Sequence, residues 1–302
     1  MTRQSVSVAT LIGTMMLGCA AGDRPATNEP ISVAGVGLET PESVLHDQTD
    51  DVYLVSNING NPLAKDGNGF ISRIAPDGTV LTLKWIDGET PNVTLHAPKG
   101  LAIRGDTLFV ADIDVVRLFD RRTGDAVGTW NVPGSTFLND LAVGRGGKLY
   151  VTDSGLRAGA NGLASSGSDA VVQFDDVGTP ERLVSGEALG RPNGIAVDNE
   201  GRIAIVTFGS GQIRLVNAES GQISGLPAPQ AGALDGVALA LDGSYLISSW
   251  DGSAVYRMGP GGQYSVEVSD VDAPADISVD RVRRRLLIPL FRENRLEIRP
   301  LN

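Results

Sequence analysis

One short phrase recurs six times along this chain: a residue that is polar in five of the six opens an alternating apolar run, and a turn ends it. It reads PESVLHDQTD from Pro41, PKGLAIRGD from Pro98, LNDLAVGRGG from Leu138, PNGIAVDNEG from Pro192, LDGVALALDG from Leu234 and PADISVDRVR from Pro274. The second residues fall at Glu42, Lys99, Asn139, Asn193, Asp235 and Ala275, at intervals of 57, 40, 54, 42 and 40 residues. A period of this length marks a fold assembled from repeated units, and it restricts topology more tightly than any composition value.

Each phrase is followed by a second strand-like run: DVYLVSNI, TLFVADI, KLYVTDS, RIAIVTF, SYLISSW and RLLIPLF. A third run follows in every unit, from FISRIAPDG in the first to RLEIRPLN in the last, and most units add a fourth, such as TVLTLKWI. β-Branched residues alternating with polar ones between Gly and Asp turns specify antiparallel meanders. Four strands in about 40–45 residues make one β-propeller blade. The expected fold is therefore all-β, a six-bladed β-propeller with four-stranded antiparallel blades. The last unit ends after its third strand. ISVAGVG, residues 31–37, supplies the missing outer strand and closes the ring, which removes an open sheet edge.

The N-terminus is set apart. Arg3 precedes an apolar stretch from Val6 to Leu17, followed by small residues. That is an export signal, because a membrane span needs about 20 apolar residues. The lone Cys19 has no partner for a disulfide in this chain. It follows Leu17 and Gly18 in a pattern similar to the lipobox of bacterial lipoproteins, with Met16 where that motif usually has Leu. The expected layout is an export signal with this lipobox at 1–19, a tether at 20–30 and the propeller at 31–302. Lipidation at Cys19 would hold the protein on the periplasmic side of a bacterial envelope. A plain secretory signal, with Cys19 incidental, is the other reading. A net charge of −11 disfavours nucleic acid and suits a cation or a neutral small molecule.

If each phrase is the innermost strand of a blade, the six openers ring one mouth of the central channel. The second strands return to the same mouth and carry Asn57, Asp112, Asp153, Phe208 and Trp250 to its rim. The two long intervals hold their extra residues just after second strands, as NINGNPLAKDGNG from Asn57 and SGLRAGANGLASSGSD from Ser154. Both are expected on the mouth face, as flexible lid or binding loops. Oxygen-rich side chains buried in such a channel are costly unless paired, and a divalent cation is a natural partner.

With Glu42 in PESVLHD, Asn139 in FLND, Asn193 in RPNGIAVD and Asp235 in LDGVALALDG, residues 37–302 resemble the senescence-marker-protein/gluconolactonase family of six-bladed propellers, which includes regucalcin and bacterial lactonases. The resemblance implies that Glu42, Asn193 and Asp235 bind a divalent metal and that Asn139 holds substrate or water. Hard oxygen donors favour Ca²⁺ or Mg²⁺, with Zn²⁺ and Mn²⁺ also compatible. Lys99 departs from the pattern. It either binds an oxyanionic substrate or pairs with Glu42 in place of the ion.

The implied activity is metal-dependent hydrolysis of a lactone or similar ester. Asp235 is the first choice of base and Asp153 the second, while Lys99 and Asn139 orient the substrate. Trp250 and Phe208 shape an apolar pocket or serve blade packing. The competing reading is a non-catalytic, envelope-tethered propeller that binds a ligand or partner through its mouth loops. The chain has no G-x-S-x-G elbow and no H-E-x-x-H. Of its two histidines, periodicity makes His46 a packed strand residue, and His96 lies near the mouth. The run DRVRRR, Asp280 to Arg285, reads as a solvated hairpin on the opposite face.

Overall fold

The computed structural model describes residues 1, 29–160, 162–259 and 261–301. Residues 2–28, which hold Cys19 and nearly all of the expected export signal and tether, lie outside them. The described residues form six four-stranded antiparallel sheets and one two-stranded hairpin. Their only helical turns are two short 3-10 segments, Arg145–Gly147 and Glu187–Leu189. No helix among the described residues is long and apolar enough to cross a membrane.

Each four-stranded sheet is one blade, its strands running outward in chain order except for the outermost strand of blade 6. Blade 1 comprises Pro41–Asp47, Val52–Asn57, Phe70–Ile74 and Val80–Asp87. Blades 2 to 5 begin with the inner strands Pro98–Arg104, Leu138–Val143, Pro192–Val197 and Leu234–Leu239. Blade 6 holds Ser278–Asp280, Arg285–Leu290 and Arg295–Pro300, with Ile31–Val33 as its outermost strand. The N-terminal strand pairs Ile31 with Ile298 and Val33 with Leu296, so the ring closes as the sequence predicts. It spans three residues rather than the expected seven. Gly35 and Gly37 adopt left-handed φ of 67° and 94° and turn the chain toward blade 1.

The second strands explain the long apolar runs. In Val52–Asn57 every residue is buried. Successive side chains point to opposite faces: Val52 and Leu54 pack toward blade 2 with Leu101 and Val110, while Tyr53 and Val55 pack toward blade 6 with Leu287 and Leu296. A cluster of this kind fills each of the six blade interfaces.

Polar latches reinforce three interfaces. The Tyr53 hydroxyl donates to Asp280 at 2.7 Å, Tyr245 donates to Asp198 at 2.8 Å, and Arg121 pairs with Asp47 at 2.7 Å. His46 is buried edge-on against Tyr53 with ring centroids 5.4 Å apart, as periodicity predicts for a packed strand residue. The basic run is less solvated than expected. Arg283 bonds Asp51 at 2.7 Å and Asp280 at 3.1 Å, and the buried Arg285 donates to the Pro76 carbonyl at 2.6 Å.

One local reading needs correction: the insertion after Ser154 contains a β-hairpin, Leu156–Gly159 paired with Gly162–Ser165, where a flexible loop was expected. The inner strand of blade 6 is only three residues long, and ahead of it Asp276 bridges in parallel to Ser43 of blade 1, which sets Ala275 level with Glu42 as the repeated phrase predicts.

Candidate active site

The openers are aimed by irregular backbone. In blades 1 to 5 the ladder between first and second strands slips at the opener, between Pro41 and Ser43, Pro98 and Leu101, Leu138 and Leu141, Pro192 and Ile195, and Leu234 and Val237. Such a bulge re-aims a side chain that regular pleating would fix. The residue before the repeated phrase is left-handed in four blades, with φ of 51° at Thr40, 61° at Arg191, 47° at Ala233 and 46° at Ala273. Non-glycine residues in this region are strained, and such strain clusters at functional sites.

Hydroxyls on the second strands capture the backbone freed by the slip. Ser56, Thr152 and Ser248 accept from the N–H groups of Ser43, Asp140 and Gly236 at 2.9, 3.0 and 2.7 Å. Thr152 and Ser248 also donate to the Asn193 and Ala275 carbonyls of the next blade, at 2.5 and 2.8 Å. The blades approach so closely that a Cβ on Gly194 would stand 2.5 Å from the Asp235 carbonyl oxygen. The PNG and LDG glycines, Gly194 and Gly236, are thus required by inter-blade contact rather than by a turn.

Glu42, Lys99, Asn139, Asn193 and Asp235 all line one cavity of about 120 Å³. Each is at most 5% exposed. Four of them present an oxygen with no partner: Glu42 Oε2, Asn139 Oδ1, Asn193 Oδ1 and Asp235 Oδ1. The Asn139 amide orientation follows from its neighbour. Ser154 Oγ donates to the Pro192 carbonyl at 2.6 Å, so it accepts from Asn139 Nδ2 at 3.1 Å, and the amide oxygen remains for the cavity. Four buried acceptors without donors form a set complementary to a hard cation. Among the described residues no group of three or more His, Cys, Asp or Glu has metal-centre spacing. The set expected from sequence holds only two carboxylates, Glu42 and Asp235, with the amide Asn193.

Burial raises the Glu42 and Asp235 carboxyls well above the usual carboxylate range, and nearby carboxylates add to the shift. The Trp250 indole opposes it at Asp235, although no hydrogen bond of normal geometry closes and Trp250 Nε1 is itself unpartnered. Lys99 is buried, and desolvation lowers its ammonium to about 8 against the pull of Glu42 and Asp112. Its Nζ donates to the Ala97 and Pro62 carbonyls at 3.0 and 3.3 Å and lies 4.4 Å above the Phe137 ring. Lys99 makes no ion pair with Glu42, so direct pairing in the ion's place is not what the geometry holds.

Two carboxyls that sequence reasoning missed lie beside this ring. Asp140 accepts from the N–H groups of Leu141 and Ile195 at 2.6 and 2.8 Å, and Asp276 accepts from the Ser43 hydroxyl at 2.5 Å. They come from opposite blades, and after desolvation the charge of Asp276 raises the Asp140 carboxyl further. Desolvation carries Asp276 up to about 7. The signal was present one position after the opener, where Ser43, Gly100, Asp140, Gly194, Gly236 and Asp276 stand.

Three expected rim residues prove to be loop anchors. Asp153, proposed for substrate binding or as a second base, accepts from the N–H groups of Thr136, Phe137 and Gly155 and does not line the cavity. Asp112 does the same for His96 and Ala97 and pairs with Arg117 at 2.9 Å, and Asn57 accepts from Glu39. The second strand ends in a buried acceptor at these positions because the next loop needs one. His96 accepts from the Gly67 N–H at 3.0 Å, also outside the cavity. Phe208 and Trp250 do line it, and Arg191 borders it from blade 4.

No protein-family model and no curated relative matches the sequence. Solved structures do resemble the fold. A gluconolactonase from Xanthomonas campestris is 20% identical with a TM-score of 0.68, over 88% of this chain and 87% of that one. Virginiamycin B lyase from Staphylococcus aureus is 12% identical with a TM-score of 0.63, over 89% of this chain and 98% of that one. The same lyase, as a catalytically inactive histidine-to-alanine variant with quinupristin, gives a TM-score of 0.60 at 12% identity over 89% and 98%. At these identities the likeness is one of fold.

Proposed function

We propose that this protein is a divalent-cation-dependent hydrolase that opens a lactone or similar ester at the mouth of the propeller channel. The reading rests on four unpartnered acceptor oxygens that line one cavity beside a buried ammonium. Glu42, Asn193 and Asp235 would hold the ion. When bound, a divalent cation supplies Lewis-acid polarisation of an ester carbonyl.

The protein's own groups provide the rest. Lys99 is largely charged at neutral pH and has two of its three N–H donors committed to carbonyls. Its third is free to stabilise negative charge that develops on a substrate oxygen. Asn139 Oδ1 accepts from, and so orients, an attacking water. Asp235, with its basicity raised by burial, takes that water's proton. The lyase neighbours supply a contrasting reaction class, but neither histidine of this chain lines the cavity, and this favours the hydrolytic reading.

The test combines turnover with melting. Chelator should reduce hydrolysis of simple lactones to background, and Ca²⁺, Mg²⁺, Zn²⁺ or Mn²⁺ should restore it and raise the melting temperature by several degrees. Asp235→Asn should lower kcat/KM by about 10³-fold. Undiminished turnover in chelator overturns the proposal. Ion-dependent stabilisation with no lactone opened would instead support the binding-platform reading.

A further inference from the structure

Above the oxygen ring lies a second ring with a different chemistry. The residue immediately after the second strand of each blade is Ile58, Ile113, Ser154, Phe208, Trp250 and Phe291 in turn. The same backbone bond fixes most of them: Ile58, Ser154, Phe208, Trp250 and Phe291 each donate their N–H to the carbonyl of the residue just before the repeated phrase of their own blade. Each blade therefore supplies one opener and, beside it, one collar residue. Five of the six collar residues are apolar, whereas five of the six openers are polar.

On one side the collar is a continuous aromatic face. Trp250 packs edge-on against Phe208 at 5.2 Å and tilted against Phe291 at 5.1 Å. Phe208, Trp250 and Phe291 each keep part of their surface exposed although they line the cavity. The hairpin over the mouth continues this face with Leu156 and with Leu163, which is 49% exposed. Polar groups at this level are few. Ser154 is fully committed, and Arg191 is the one whose guanidinium makes no hydrogen bond or ion pair among the described residues. A polyol would lose hydration here without recovering its hydrogen bonds, and an apolar substituent would gain burial.

We infer that the cavity takes lactones carrying an apolar ring or short alkyl chain, with the ester at the oxygen ring and the apolar group against the Phe208–Trp250–Phe291 face, and that it discriminates against polyhydroxylated sugar lactones. This rests on the lactone-opening reading and adds the substrate class to it. Burial of one methylene is worth about a fourfold change in an equilibrium.

The experiment compares kcat/KM for δ-valerolactone, δ-nonalactone and glucono-δ-lactone. In parallel, 4-butylcyclohexanone, a ring that no hydrolase can open, is titrated by tryptophan fluorescence. The expected result is δ-nonalactone at least tenfold above δ-valerolactone, gluconolactone the poorest, and saturable quenching by the ketone that Trp250→Phe alters. Phe208→Ala and Leu163→Asn should each cut the nonalactone-to-valerolactone ratio at least threefold. Gluconolactone as the best substrate overturns the inference and leaves the hydrolase reading standing. Saturable ketone binding with no lactone opened overturns the hydrolase reading and keeps the apolar class. No binding and no turnover overturn both.

Discussion

At the scale of single residues, the site places charge where an ordinary core would not hold it. Glu42 is buried with Asp235 and Asp276 nearby, and only Lys99 offsets them electrostatically. A carboxylate so placed costs stability until it is neutralised or paired. Glu42→Gln keeps the shape and removes the charge. It should raise the melting temperature of the ion-free protein by a few degrees and abolish the further rise caused by divalent cations. Calorimetry with and without chelator reads both effects, and an unchanged ion-induced rise would exclude Glu42 as a ligand. These openers were legible in sequence because each stands at the same point of a repeated phrase. Asp153 was misread because a carboxylate at a strand end serves a loop's N–H groups as readily as a substrate. Asp140 and Asp276 were missed because the position after the opener is Ser or Gly in the other four blades, so the repeat does not mark it as acidic.

Among the elements, the closing strand is the most exposed to test. Ile31–Val33 hydrogen-bonds along Leu296–Ile298, and Val33 is buried in the cluster shared by blades 6 and 1. Without it, Arg295–Pro300 becomes a bare edge. A chain beginning at residue 36 should lose about 3 kcal/mol, from one buried valine, a half-buried isoleucine and the ladder bonds. It should also self-associate at concentrations where the longer chain does not. Urea midpoints and size-exclusion elution measure these effects, and an unchanged midpoint would show that three strands suffice for the last blade. Strand count, order and ring closure follow directly from the period and from the near-continuous apolar runs of the second strands, which report burial on both of their faces. The hairpin over the mouth was not legible. Leu156–Ser165 alternates weakly and is rich in Gly, Ala and Ser, so nothing in its pattern separates a strand pair from a loop.

For the whole molecule, the relevant quantity is the sum of buried acid near the axis. Glu42, Asp140, Asp235 and Asp276 are all raised, primarily by desolvation. A carboxyl whose folded value exceeds its unfolded value binds more protons in the native state. Its contribution therefore falls as pH rises from the unfolded value, about 4, through the folded one. Asp276, at about 7, sets that window. The lowered groups, among them Asp51, Asp198 and Asp280, act oppositely, but only below about pH 4. Chelated protein should thus grow more stable as pH drops from 8 to 5, by at most about 1.4 kcal/mol per pH unit for each such group. With divalent cation present the slope should flatten or reverse, because protons and the ion compete for Glu42 and Asp235. Melting curves across that range decide it, and a flat profile in chelator would mean that the acids are better solvated than their burial implies.

The gathering of four acids from separate blades has a consequence for anyone who edits one of them. Asp276 acts on Glu42, Asp140 and Asp235, and Glu42 also feels Asp140 and Asp235. Their proton affinities therefore belong to the group, and neutralising any single member retunes the others.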